Sequence, residues 1–247
     1  MRVAHASHAS LACLCMSLSL SSPLFVSEAA AVDRLVPSQH LTIQAAIDSA
    51  EAGVDRVVVV NASQNPYAAF TLNKNVPVLT TSSQEIIVQA GGSDAWAVRI
   101  TEAGGSVDGL TIRSRSNGTG AVEMTCDSDL TNCKVQDNGN AFTGDLVTIT
   151  SAGAGAKVSD CTFRITSTGN HGAAIAVYAS TSGARTEILD NTLAHYVGSG
   201  CSAAAIDLRG ATSAPLLQGN VVTVTGANQL NVAGILSAVG VERGTPG

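Results

Sequence analysis

The stretch Leu130-Thr-Asn-Cys133-Lys-Val135 carries the pattern that decides the fold. In each copy of the pattern an aliphatic residue comes first, Cys, Asn or Leu stands three positions later, and another apolar residue stands two positions after that. Four other stretches share the pattern: VDGLTI at 107–112, VSDCTF at 158–163, ILDNTL at 188–193 and LQGNVV at 217–222. The first residues of the five stretches lie 23, 28, 30 and 29 positions apart. Such self-similarity is typical of a solenoid, in which one structural unit stacks on copies of itself.

Each repeat also contains a second apolar alternation, 15 to 18 residues after the first. The alternating pairs are Val122 and Met124, Val147 and Ile149, Ile175 and Val177, and Ile206 and Leu208. Alternation with a period of two predicts a strand with one face in the core. Each repeat therefore supplies at least two strands, and stacked repeats form parallel sheets. A leucine-rich repeat is the competing interpretation, because 130–138 fits its short consensus, but the strand-like segments 146–150 and 174–178 disfavour it.

The region before the repeats predicts a short helix and then a buried strand. Thr42 can cap a helix over about 43–52, and Gly53 is placed to end it. Four consecutive valines at 57–60 fit a strand that is buried on both faces. We expect the helix to cover the open end of the first coil, where unpaired backbone groups would otherwise invite edge association.

These N-terminal residues carry a resemblance to a known superfamily. The segment VPSQHLTIQAAID at 36–48, the valines at 57–60 and Asn65-Pro66-Tyr67 resemble the N-terminal signature of the pectin-lyase-like right-handed parallel β-helix proteins. The resemblance implies an all-β, single-stranded right-handed parallel β-helix with an N-terminal capping helix. We assign it to residues 32–247 as one domain. We expect its C-terminal coil to pack on a loop, on a partner or on further sequence.

Residues 1–31 have the composition of a secretory signal peptide. Arg2 precedes an apolar run at 11–20, and three alanines at 29–31 end the segment with small residues. We therefore expect a secreted or extracellular protein, with the periplasm or the cell surface as variants of that location. The apolar run is too short for a permanent membrane anchor, and no later stretch is long and apolar enough to be one.

The net charge limits the binding partners that we expect, and the positions of the cysteines indicate whether they form disulfides. The chain has 13 Lys and Arg against 19 Asp and Glu, a net charge of −6, so a nucleic acid partner is not expected. Cys126, Cys133, Cys161 and Cys201 follow the leader and could pair in three ways. Cys133 and Cys161 occupy the same slot of successive repeats, where parallel Cβ vectors strain a disulfide. We interpret them as buried thiols that pack as small apolar groups.

The resemblance implies three kinds of catalytic site, and the sequence contains none of their motif sets intact. These are calcium-bound carboxylates with a basic residue in lyases, paired aspartates in polygalacturonases, and aspartates with glutamines and an arginine in methylesterases. Candidates for substrate binding come from the predicted outward rows instead: Arg113, Arg164, Tyr178, Asp207 and Arg209. We expect Asp207 and Arg209 to form a solvated ion pair.

Two aspartates and two histidines are the candidates for metal binding and acid–base chemistry. Asp127 and Asp129 lie in a predicted turn and are the residues that could hold calcium, although turn aspartates commonly bond the backbone. No motif requires a cofactor. His171 and His195 lie near predicted turns, where we expect them on the surface.

Two functions follow from these residues. The first is a non-catalytic or catalytically degenerate β-helix scaffold that contacts polysaccharide. The alternative is an active polysaccharide lyase or glycoside hydrolase that acts on acidic polysaccharides. Three carboxylates within metal-ligand reach beside Arg164 or Arg209 would favour the enzyme.

Overall fold

The computed structural model describes residues 30–92, 94–115, 119–138, 144–150, 155–166, 172–178, 185–197, 202–209, 215–226 and 231–237. The predicted leader at 1–31 lies outside these residues except for its last two positions. His171 and Cys201 also lie outside them.

The described strands form three parallel sheets, here named A, B and C. Sheet A contains β1 (Asp33–Val36), β2 (Arg56–Val59), β5 (Pro77–Thr80), β8 (Ser106–Asp108), β11 (Asp129–Thr131), β14 (Lys157–Ser159), β17 (Glu187–Leu189) and β20 (Leu216–Gln218). Sheet B contains β3 (Tyr67–Ala68), β6 (Ile87–Gln89), β9 (Thr111–Arg113), β12 (Lys134–Gln136), β15 (Thr162–Ile165), β18 (Thr192–Val197) and β21 (Val221–Gly226). Sheet C contains β4 (Phe70–Leu72), β7 (Val98–Ile100), β10 (Val122–Met124), β13 (Val147–Ile149), β16 (Ile175–Tyr178), β19 (Ser202–Arg209) and β22 (Asn231–Ser237).

From β2 onward each sheet receives every third strand, so three consecutive strands make one coil of a parallel β-helix. This confirms the predicted fold class, with three strands in each coil. Like residues stack on like: Val107, Leu130 and Val158 are paired in register along sheet A, and all are fully buried. The predicted pattern therefore marks the inward ladders of sheets A and B, and the second alternation marks sheet C.

The described residues contain one short helix, α1 (Ile43–Ser49), which lies between β1 and β2. The Thr42 hydroxyl accepts a hydrogen bond from the amide of Ala45 at 3.1 Å, as expected for an N-cap. The helix ends three residues earlier than predicted, because Ala50 is extended and Glu51 donates its amide to the carboxylate of Asp55 at 2.9 Å. The described residues contain no helix with the length and apolarity needed to cross a membrane.

A ladder of side chains lines the buried turn between sheets A and B. Its members are Cys133, Cys161, Asn191 and Asn220. Each donates to a carbonyl of the preceding coil, as when Asn191 Nδ2 bonds the oxygen of Val158 at 3.0 Å. Cys161 and Asn191 also accept from the amide of the ladder residue before them. The cysteines at 133 and 161 are free and buried, as predicted, and burial raises the pKa of the Cys133 thiol.

Candidate ligand-binding surfaces

The outer side of sheet C carries a cluster of four polar side chains from consecutive coils: Asp145, Tyr178, Asp207 and Arg209. Arg209 Nε lies 2.6 Å from Asp207 Oδ2, which confirms the predicted ion pair, but Asp207 is buried and not solvated as predicted. Its Nη1 and Nη2 lie 3.1 and 3.2 Å from the two carboxylate oxygens of Asp145. The Tyr178 hydroxyl lies 2.5 Å from Arg209 Nη1 and 3.2 Å from Asp145 Oδ2. The guanidinium therefore joins three coils.

Burial and charge make this cluster rigid. Asp145 is 8% exposed, and its Oδ1 also accepts from the amide of Ala173 at 2.6 Å. Burial opposes the charge of Arg209, but the hydrogen bond to Asp207 and the two nearby carboxylates outweigh it and raise the Arg209 pKa. Burial and the charge of Asp145 raise the pKa of Tyr178, although Arg209 works against them. The tyrosine therefore stays protonated at neutral pH.

The close approach of Gly172 helps to hold Asp145 in place. A Cβ atom on Gly172 would fall 1.9 Å from Asp145 Oδ1, so a side chain at 172 would displace the carboxylate. Because Arg209 is matched by two carboxylates, the cluster has no surplus positive charge to attract an anion. Its contacts are those of a structural cluster that holds neighbouring coils together.

Sheet B presents a different surface. The side chains of Arg113, Gln136, Arg164, Ala194 and Thr223 form one outward row in register, which confirms the row predicted from Arg113 to Ala194. With its amide flipped, Gln136 accepts from Arg113 Nε at 2.6 Å, so the partner of this guanidinium is neutral. Arg164, one strand further along, is exposed. Two coil spacings, roughly 9.6 Å, separate the two arginines along the helix axis.

A shallow groove of about 450 Å³ lies at the end of this row, across β15, β18 and β21. Arg164 and Tyr196 both line it, and both are exposed. Hydroxyl groups come from Thr166, Thr223 and Thr225. Asp137 holds Thr166 in position, because its two carboxylate oxygens accept hydrogen bonds from the amide and the hydroxyl of Thr166 at 2.9 and 2.8 Å. The groove therefore combines a cation, an aromatic ring and several hydroxyls.

His195 does not lie on the surface, contrary to the prediction. It is 1% exposed and stands in register between Ile165 and Val224 on the inner face of sheet B. The reason is the length of β18, which extends to Val197 instead of ending at a turn. Alternation from the buried Leu193 then directs position 195 inward.

The predicted calcium candidates serve other contacts. Asp127 Oδ1 accepts from the amide of Gly155 at 2.8 Å, and Asp129 begins β11 beside Lys157 in the next coil. Among the described residues, no group of three or more His, Cys, Asp or Glu side chains is placed to hold a metal ion. The sequence criterion for an enzyme was at least three carboxylates within metal-ligand reach beside Arg164 or Arg209. In the part of the chain that the structure describes, Arg209 has two such partners, Asp145 and Asp207, and Arg164 forms no ion pair with a carboxylate.

Sequence reasoning brought Tyr178, Asp207 and Arg209 to one sheet and Arg113 with Arg164 to another, which the structure confirms. It missed Asp145, because a single aspartate before a strand resembles any turn residue. It also missed Trp96, which precedes β7 and lines a second cleft. Comparison with known proteins gave no family model, curated relative or solved structure that matches this chain. The class that the fold defines is the parallel β-solenoid.

Proposed function

We propose that this protein is a secreted or surface-displayed β-helix scaffold that binds an acidic polysaccharide along sheet B. The observation that carries the proposal is the outward row from Arg113 to Thr223 with the groove at its end. In this proposal Arg113 and Arg164 bind carboxylates of the glycan. The sheet C cluster braces the coils.

Charge supports this choice of surface. Arg99 and Arg209, both on sheet C, are bonded to carboxylates of the same chain. The guanidinium of Arg113 is bonded to an amide instead, and Arg164 lines the groove as an exposed cation. The row thus offers positive charge on a protein whose net charge is −6. Guanidinium groups match carboxylates in bidentate geometry, and a polyanion spanning two coils would meet both.

The shape and the side chains of the groove support a sugar ligand. Tyr196 supplies an exposed aromatic ring, which can pack against the apolar face of a pyranose. The threonine hydroxyls offer both donors and acceptors to sugar hydroxyls. An open groove at the surface of stacked coils suits a long polymer that passes along the solenoid.

Membership of the pectin-lyase-like superfamily and export through the 1–31 leader belong to the same proposal. The resemblance of 36–48, 57–60 and 65–67 supports the first, and the composition of the leader supports the second. The capping position of α1 before the first coil is consistent with the resemblance.

Binding of the purified protein to polygalacturonate, measured by titration calorimetry, tests the proposal. The fully methyl-esterified polymer serves as the neutral control. We expect saturable binding of the acidic form that weakens as salt is raised. Arg164→Ala should weaken it by about tenfold or more, the effect of losing one charge-assisted hydrogen bond. Arg185→Ala removes an exposed arginine outside sheet B and should leave binding unchanged.

Equal binding of the two polymers, or equal effects of the two arginine variants, would contradict the proposal. The same samples also test the alternative function. Release of unsaturated uronate products, followed by ultraviolet absorbance with and without calcium, would identify a lyase.

A further inference from the structure

A second cleft, of about 460 Å³, lies at the N-terminal end of sheet C, where α1 packs against the first coils. Its volume is in the range of small-ligand sites. Gln44 of α1, Thr71 of β4, Asp94 and Trp96 of the preceding turn, and Arg99 of β7 line it. None of these residues belongs to the sheet B groove, so the cleft is independent of the proposed function.

Trp96 gives the cleft a fixed aromatic wall. The side chain is half-buried, and one edge of its ring lies directly on Gly120 of the next coil. A Cβ atom on Gly120 would fall 1.9 Å from Trp96 Cζ3, so the absence of a side chain there is what admits the ring. An indole held by its own scaffold costs little conformational entropy when a ligand packs against it.

Polar groups surround this wall, and several are already oriented by the protein. Gln44 Oε1 accepts from the amide of Thr71 at 2.8 Å, and its Nε2 donates to Asp48 at 2.9 Å. The amide therefore keeps one N–H for a ligand. Arg99 Nε bonds Glu123 at 2.6 Å, which fixes the guanidinium while its side chain remains 49% exposed. Asp94 is exposed and supplies an acceptor.

The charges in and around the cleft indicate whether its ligand is charged or neutral. The carboxylates of Asp94 and Glu123 outnumber the single guanidinium of Arg99, which disfavours an anion such as a uronate. A flat ring beside an amide, a hydroxyl, a carboxylate and a guanidinium suits a ligand with one apolar face and many hydroxyls. We propose that this cleft, built by Gln44, Thr71, Asp94, Trp96 and Arg99, binds a neutral sugar residue.

Trp96 is the single tryptophan of the chain, so its emission, excited at a wavelength where the tyrosines do not absorb, reports on this cleft alone. Titration of the full-length protein with neutral hexasaccharides of glucose, mannose and galactose should change the emission saturably for at least one of them. Hexagalacturonate should give no saturable change. Asp94→Ala removes an exposed acceptor and should weaken the neutral ligand by about tenfold or more. Arg164→Ala, on sheet B, should leave the titration unchanged.

A second variant separates stacking from folding. Trp96→Phe keeps a smaller ring, and its binding is measured by calorimetry after circular dichroism has shown an intact β fold. We expect affinity to fall at least about threefold while the fold persists. The inference is overturned if no neutral hexasaccharide changes the emission, if hexagalacturonate binds as well, or if Asp94→Ala binds like the unaltered protein. None of these outcomes changes the binding of polygalacturonate to the sheet B groove as measured by calorimetry. The two proposals can therefore be refuted independently.

Discussion

Replacing Asn191 by alanine should destabilise the middle of the solenoid more than its size suggests. The side chain is fully buried in the turn between sheets A and B. Its Oδ1 accepts from the amide of Cys161 at 2.9 Å, and its Nδ2 donates to the carbonyl of Val158 at 3.0 Å. Both of those residues are buried, so the variant leaves the amide of Cys161 without its partner and removes one hydrogen bond from the Val158 carbonyl, which stays in the sheet A ladder beside β17.

The expected loss follows from these two groups. An unsatisfied buried donor costs about 1 to 3 kcal/mol, and losing one of two hydrogen bonds to a carbonyl costs about 0.5 to 1.5 kcal/mol, so Asn191→Ala should lower the free energy of unfolding by about 1.5 to 4.5 kcal/mol. Asn191→Cys is the matched control, because cysteine occupies this slot at Cys133 and Cys161. There each thiol bonds the preceding carbonyl, at 3.7 and 3.5 Å respectively. Since a thiol is a weaker partner than an amide, we expect a loss of about 1 to 2 kcal/mol.

Urea unfolding followed by far-ultraviolet circular dichroism measures the loss, and amide hydrogen exchange locates it. Because coils contact only their neighbours, exchange at Cys161 should accelerate strongly while exchange at Val78 changes little. An alanine variant that loses less than about 1 kcal/mol would refute the reasoning. So would a cysteine variant that is as unstable as the alanine variant.

Three further predictions concern the cluster, the core and the N-terminal ion pair. Asp145→Ala should cost about 1.5 to 3 kcal/mol in urea unfolding, a range kept low because Arg209 is 37% exposed and water can replace part of its contacts. Phe163→Ala should cost about 3 to 5 kcal/mol, because the ring is fully buried, and the smaller truncation Phe163→Leu should cost less. The amide of Glu51 and the guanidinium of Arg34 hold the pKa of Asp55 below its ordinary value of 3.8, so its contribution is present above that pH and is lost as pH falls below it. Asp55→Asn should therefore flatten the acid limb of the thermal-melting profile, and an unchanged profile would contradict this assignment.

The sequence was most informative where structure is local. Coil length and alternation are properties of short segments, so the ladder from Val107 to Leu217 could be read from spacing alone. Counting positions also placed Arg113 and Arg164 in one row, because parallel strands in register stack equivalent residues. The N-cap at Thr42 was equally predictable, since it depends on one side chain and its own helix.

Predictions became wrong where neighbouring coils decide how far an element extends. The helix was expected to reach residue 52, but the amides of Glu51 and Gly53 bond Asp55 and Asn75 instead. His195 was expected on the surface, but β18 runs on beside β21 through Val197, and pairing with that strand keeps the alternation going. The bond from Gly53 to Asn75 and the pairing of β18 with β21 join different coils, and neither leaves a signal in the local pattern.

The sequence by itself determined the parallel β-helix and its inward ladders, because repeat length and side-chain alternation are written in consecutive residues. The tertiary structure alone decided the composition of the surfaces. Asp145 reaches Arg209 across 64 positions, and the cleft of Trp96 needs Gln44 from α1 and a bare Gly120 in the next coil. These contacts depend on turns of unequal length and on the directions of long side chains, which the spacing of the repeats does not encode.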